Sequence, residues 1–236
     1  MNESSPVKSA KVRKAESAKV TPFRTFALSH SRTLVFVLCL LPLANIVYDG
    51  LTGGLEAEPV KDITHRTGWW VLTLLMLTLS VTPLRRLTGW NQIVKVRKTL
   101  GNFAFFYACL HLLIYFGLDQ AFSFAYIGED IAKRPYITVG FTAWLLLVPL
   151  AVTSTKGWIR RLGKRWQTLH RLIYLCAALG VLHFYWLVKA DTREPLLFAA
   201  ILAVLLAFRL PILARIRART ARRAAPVART EPLKHA

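Results

Sequence analysis

Apolar residues come in six runs separated by short charged stretches: Thr33–Tyr48, Thr67–Leu84, Thr99–Leu118, Tyr136–Thr153, Leu169–Val188 and Pro195–Leu213. A helix needs about 20 residues to cross a hydrocarbon core of roughly 30 Å, and the runs meet or approach that length. In lipid the backbone must satisfy its own polar groups, which leaves helices or closed barrels. The runs lack the apolar–polar alternation of barrel strands. The pattern predicts an all-α integral membrane protein, a bundle of six transmembrane helices. The first run is the shortest, and its Leu34–Ala44 centre has the look of a signal-peptide core. The basic stretch before it is too long, however, and no A-x-A site follows, so an uncleaved helix is expected.

Composition sharpens this picture. The 236 residues carry 32 Lys+Arg against 12 Asp+Glu, a net charge of +20 that on its own suggests nucleic-acid binding. With 54% hydrophobic and only 19% charged residues, a soluble domain this small could not hide its apolar surface. The charge is better read by position. Of the 32 cations, 26 fall in residues 1–32, 85–98, 154–171 and 209–236, and 6 in 49–66, 119–134 and 189–194. Acids run the other way, 3 against 9. The positive-inside rule then places both termini in the cytoplasm, and the alternation holds for six spans but not for five. Trp69, Trp70, Trp158, Trp166 and Trp186 stand near predicted helix ends, where aromatic belts form. Residues 1–32 and 214–236 read as basic cytoplasmic tails flanking a 33–213 membrane domain.

With the interior free of Lys, Arg, Asp and Glu, the ionisable candidates at membrane depth are histidines. His30, His65 and His235 lie at or beyond the run ends and read as solvated or interfacial. His111 stands 8 residues before Asp119, about 12 Å from the outer boundary. His183 stands 6 residues before Lys189, about 9 Å from the same boundary. Two imidazoles at similar depth on two helices are what ligates a haem iron on both axial faces. Gly101, Ala104 and Ala108 share the His111 stripe, and Cys176 and Gly180 precede His183. Such small residues admit a porphyrin or simply pack helices, and each stripe alone favours packing. Their coincidence with depth-matched histidines favours haem. No CxxCH is present, so attachment would be noncovalent and b-type.

His170 lies 13 residues before His183, about 20 Å along the axis and roughly 140° around it. A histidine partner for it on helix three would fall at Arg97 or Lys98, so a second bis-histidine haem is not supported. His170 is left to bind a quinone or flavin headgroup, relay a proton or cap its helix. The loops Arg85–Lys98 and Lys156–Arg165 read as ordinary positive-inside loading, though they could hold haem propionates or a flavin phosphate. Cys39, Cys109 and Cys176 are scattered, with no CxxC pairing. No dinucleotide fingerprint or P-loop occurs, so electrons would come from a separate reductase or a quinone pool.

Thr82-Pro83-Leu84-Arg85-Arg86, the run Arg97-Lys98-Thr99-Leu100-Gly101 leading through Phe105-Phe106-Tyr107 to Leu110-His111, and Trp166-x-x-Leu169-His170-Arg171-Leu172-x-Tyr174 with His183 beyond carry a resemblance. The chain resembles the MsrQ (YedZ) family, haem-binding membrane subunits of bacterial periplasmic protein-methionine-sulfoxide reductase systems, within the ferric-reductase-like transmembrane superfamily. The resemblance covers about residues 33–213. It implies an inner-membrane electron carrier with haem b and FMN, and without a substrate-reducing site of its own. The implied donor is the quinone pool or a cytosolic flavin reductase, and the implied acceptor a periplasmic molybdopterin methionine-sulfoxide reductase subunit. By position, His111, His170 and His183 match the family's three histidines, with His111 and His183 as the iron ligands. Two other readings stay open: a ferric or quinone-linked cytochrome b with another acceptor, and a small proton-coupled transporter. Against the transporter, inverted repeats and midplane carboxylates are missing.

Overall fold

The computed structural model describes residues 32–188 and 190–209, and among them every regular element is helical. The chain runs α1 (Arg32–Thr52), α2 (Pro59–Thr88), a 3₁₀ segment (Asn91–Lys95), α3 (Arg97–Ile114) with a π-helical turn (Tyr115–Asp119), α4 (Phe124–Lys133), α5 (Pro135–Val152), α6 (Lys156–Leu162), α7 (Lys164–Leu169), α8 (Leu172–Leu187) and α9 (Arg193–Ala207). The chain is a multi-pass membrane protein. Five stretches are long and apolar enough to span: α1, α2, Asn91–Asp119, α5 and Lys164–Leu187. The sixth predicted run appears as α9, whose 15 residues reach about 22 Å. Residues 210–213, assigned to that run, and the expected tails, 1–31 and from 214, lie outside the described residues.

Local chemistry sets the ends. Pro59 and Pro135 open α2 and α5, where a missing N–H costs nothing. Gly89 closes α2 in the left-handed region at φ 71°, its N–H returning to the Arg85 carbonyl at 3.0 Å. Sequence reading treated 119–134 and 154–171 as loops, yet α4 occupies much of the first and α6 and α7 the second. These are short pieces with no long apolar run to announce them.

Helix α2 is the shared wall of two cores. On one side Leu74 and Leu75 pack with Cys39 of α1, Phe103, Ala104, Tyr107 and Ala108 of α3, Leu147 and Leu150 of α5, and Cys176 of α8. On the other, Leu72, Met76 and Leu79 pack with Ala177, Val181 and Phe184 of α8 and with Phe198, Leu202 and Leu205 of α9. Leu34, Phe36, Val37, Leu38 and Leu41 of α1 point outward, exposed as lipid-facing side chains are.

Three prolines interrupt helices from within: Pro42 in α1, Pro83 in α2 and Pro149 in α5. A helical proline removes one N–H donor and strands the carbonyl four residues back. For Pro83 that carbonyl is Leu79, and the Arg209 guanidinium supplies the missing donor, Nη2 to oxygen at 2.7 Å. Nη1 of Arg209 donates to the Tyr174 hydroxyl, and its guanidinium stacks over the Tyr174 ring. Arg209, counted above with the cytoplasmic tail, instead ties α9 to α2 and α8. Near Pro42, the buried Tyr107 hydroxyl enters the α1 ladder, accepting from Leu43 N–H at 3.0 Å and donating to the Cys39 carbonyl at 2.8 Å.

Candidate functional site

Residue counts to the loops put His111 and His183 at one depth. The bundle brings the two imidazoles together, ring centroids 6.1 Å apart and planes at 86°. Both rings are half-buried. His111 Nδ1 lies 3.0 Å from the Thr64 carbonyl of α2 and 3.3 Å from the Thr67 hydroxyl. His183 Nδ1 lies 2.7 Å from the Tyr136 carbonyl of α5. A carbonyl only accepts, so each Nδ1 carries the hydrogen and each Nε2 keeps its lone pair. That tautomer, fixed by a backbone acceptor on the far nitrogen, is how metal-bound imidazoles are held.

The two holders share one design. Four residues after Thr64 stands Gly68, and four after Tyr136 stands Gly140. A Cβ at Gly68 would come within 3.1 Å of His111 Cε1, and one at Gly140 within 2.6 Å of His183 Nδ1. In both helices a glycine opens the groove beside a carbonyl, and the ring from the neighbouring helix drops into it. Neither glycine was singled out from the sequence. Gly140 follows Arg134 by 6 residues, which puts it at the same depth of about 9 Å as His183, and that counting would have found it.

The small-residue stripes take the packing role instead. Gly180 faces Leu72 of α2, where a Cβ would stand 2.9 Å from Leu72 Cδ2, and Gly101 faces Thr78. Ala104, Ala108 and Cys176 are buried in the core around Leu74 and Leu75. They pack α3 and α8 closely onto α2, the helix that carries Thr64 and Gly68.

His170 stands apart, at the break between α7 and α8. Its ring stacks on Trp166, centroids 4.0 Å apart, and its Nε2 lies 3.1 Å from the Thr153 hydroxyl. That hydroxyl already donates to the Pro149 carbonyl at 2.6 Å, so His170 Nε2 is the donor in the pair. Trp166 Nε1 donates to the Thr153 carbonyl at 2.9 Å and completes the corner. His170 is thus held by its outer nitrogen, unlike the other two. His65, set aside above as interfacial, packs its ring against Phe184, centroids 5.6 Å apart, on the residue next to His183. His30 and His235 lie outside the described residues. Among the described residues no cluster of three or more His, Cys, Asp or Glu could hold a metal ion.

Residues 67–181 match the family described as ferric reductase like transmembrane component, a stretch that includes His111 and His170. A relative from Xanthomonas euvesicatoria pv. vesicatoria (strain 85-10), named protein-methionine-sulfoxide reductase heme-binding subunit MsrQ, is 52% identical over 202 residues, 83% of this chain and 93% of its own length. The chain belongs to the MsrQ family. A second MsrQ relative bearing the same name, from Herminiimonas arsenicoxydans, is 49% identical over 181 residues, 75% of this chain and 83% of its own. MsrQ membership agrees with the resemblance drawn from the TPLRR, helix-three and LHRLxY motifs. In the structure Tyr174 and the Leu79 carbonyl, four residues before Pro83 of the first motif, meet at Arg209.

Proposed function

We propose that this chain is the membrane-embedded b-type cytochrome subunit of a protein-methionine-sulfoxide reductase system. In this reading one haem b is held between His111 and His183. The observation that carries it is the facing imidazole pair, each with Nδ1 committed to a backbone carbonyl and Nε2 left for a metal. The spacing fits: two metal–imidazole bonds of about 2 Å, with about 1 Å more to each ring centre, span roughly 6 Å. Family membership supports an electron-transfer role. Bound haem supplies a reversible one-electron store.

The protein's own part is to fix two neutral imidazoles in a half-buried slot. The Thr64 and Tyr136 carbonyls raise ligand basicity through the Nδ1 hydrogen bonds and keep the rings from turning. His170, at the break before α8 and at the opposite end of that helix from His183, is the cofactor-binding residue we place on the path by which electrons arrive, with no role as an iron ligand. FMN is assigned no residues, and no step is derived through it. The positive-inside distribution supports a bacterial inner-membrane location with both termini cytoplasmic and the histidine pair in the outer half. The donor in this reading is the quinone pool or a cytosolic flavin reductase. The acceptor is a periplasmic molybdopterin methionine-sulfoxide reductase subunit.

The test is the visible spectrum of the purified membrane protein and its variants. Wild type should show a Soret band that shifts on dithionite reduction, and a colourless protein overturns the reading. His111→Ala and His183→Ala should each abolish that band while the protein still inserts. Full haem retention in both variants refutes the ligand pair, and complete haem loss in His170→Ala would show that a ligand had been misplaced. Reoxidation of the reduced subunit by the periplasmic partner with methionine sulfoxide tests the acceptor.

A further inference from the structure

Helix α4 joins the π-helical turn that ends the third span to α5, so both of its ends are tethered to membrane-spanning segments. Its bundle face is small: Ile127 is buried, Asp130 and Ile131 are half-buried, and the rest is exposed. Asp130 anchors this face, accepting from Gln120 Nε2 at 3.0 Å and from the Tyr115 hydroxyl at 3.3 Å, and forming an ion pair with Arg134 Nε at 3.3 Å.

The exposed surface is sorted. Phe124, Gly128 and Ala132 recur every fourth residue and so form one stripe along the helix. Glu129 and Lys133, paired with each other, form the next stripe round. Phe124 is 85% exposed, and a Cβ at Gly128 would meet nothing within 4 Å. Phe122, 62% exposed, sits just before the helix on a left-handed backbone, φ 58°, with Ala121 at φ 45°. A bulky residue rarely adopts that conformation. Its ring is seated on Gly117, where a Cβ would stand 3.1 Å from Phe122 Cζ, so the turn holds an exposed aromatic ring two residues before Phe124.

We propose that α4 lies in the lipid–water interface at the end of the bundle that carries His111 and His183, with phospholipid as the occupant of its apolar stripe. Phe122 and Phe124 enter the acyl boundary, and Glu129 and Lys133 face water. A helix with one aromatic stripe and one charged stripe, tethered at interface depth, is built to lie in that plane. The consequence reaches the site. α4 passes through Arg134 into α5, whose Tyr136 carbonyl holds His183, so lipid anchorage of α4 sets the height of that carbonyl. The proposal does not depend on haem.

The test uses the full chain in phosphatidylcholine–phosphatidylglycerol vesicles, with Cys39, Cys109 and Cys176 replaced by Ser and single nitroxide-labelled cysteines at positions 124, 128, 132, 129 and 133. Expected is several-fold greater collision with oxygen than with a water-soluble nickel chelate at 124, 128 and 132, and the reverse at 129 and 133. Nickel access at all five positions overturns the proposal, because α4 then stands in water. Exclusion of both quenchers at 124, 128 and 132 also overturns it, because protein, a second copy or a partner, then covers the stripe. On the unsubstituted chain, a phospholipid bearing an acyl-chain diazirine should label the 122–132 segment, and failure to label it while α1 is labelled overturns the proposal independently.

Discussion

Gly140 and His183 touch without a side chain between them. A Cβ at residue 140 would stand 2.6 Å from the imidazole Nδ1, the same nitrogen that donates to the Tyr136 carbonyl at 2.7 Å. The ring is a movable group, so Gly140→Ala should displace the histidine and leave the fold in place. Loss of an outer-shell partner of a metal-bound histidine typically costs 10–100-fold in affinity. Haem affinity of Gly140→Ala should fall in that range, read from the Soret band as haem is titrated into the apo-protein, with thermal unfolding in detergent little changed. Gly68→Ala, whose Cβ would come no closer than 3.1 Å to His111, should show a smaller loss. Equal, undiminished haem in both variants would mean the rings are not held as described.

Thr67 bears on His111 more gently. Its hydroxyl is fully buried and contacts the Ile63 and Thr64 carbonyls at 2.9 Å as well as His111 Nδ1 at 3.3 Å. Thr67→Val keeps the shape and removes one acceptor from the imidazole N–H, while the Thr64 carbonyl remains. Weakening that bond makes the ring a poorer donor to iron. A small upward shift in reduction potential is expected, with haem retained, and redox titration of wild type and variant side by side checks it. A downward shift would contradict the assigned tautomer.

Much of this site was legible in the sequence because a membrane interior admits so few ionisable groups. Once the 26 and 6 cations had sorted the loops, residue counting placed His111 and His183 at one depth, and the structure puts their rings 6.1 Å apart. What counting could not supply was rotation about the helix axes. The partners Thr64, Tyr136, Gly68 and Gly140 depend on which faces meet, and backbone carbonyls leave no trace in composition. The small-residue stripes were visible but ambiguous, and Leu72 against Gly180 decides for packing. Arg209 escaped because cationic loops are ordinary in membrane proteins, and its partner is a carbonyl that only the Pro83 position exposes. Likewise α4 is too short to register as a span.

Tyr107 tests the α1 interruption. Its hydroxyl occupies the rung between Leu43 N–H and the Cys39 carbonyl, one residue past Pro42. Tyr107→Phe deletes both bonds, but the two backbone groups are four residues apart and can close on each other as in an ordinary helix. The cost should therefore stay near a single net hydrogen bond, about 1 kcal/mol, below the penalty for stranding both groups. Thermal or denaturant unfolding in detergent measures it, and a loss several times larger would show that α1 cannot reclose.

Arg209 and Pro83 allow a sharper test, because their roles are complementary. Pro83 strands the Leu79 carbonyl and Arg209 Nη2 satisfies it at 2.7 Å. Arg209→Met keeps much of the side chain's bulk but leaves that carbonyl unpaired, which costs about 1–3 kcal/mol for a buried acceptor. Pro83→Ala restores a backbone N–H four residues after Leu79, so the carbonyl gains a partner within α2. If the arginine is present for the proline's sake, Arg209→Met should destabilise the Pro83→Ala background by clearly less than it destabilises wild type. The remaining loss then reports the bond to the Tyr174 hydroxyl and the stacking on its ring. A double-mutant cycle on unfolding free energies measures the coupling, and strictly additive effects would show that Leu79 is not what Arg209 stabilises. The cycle also separates this clamp from the haem site, since Arg209→Met touches neither holder of the histidine pair and should leave the Soret band per folded protein unchanged.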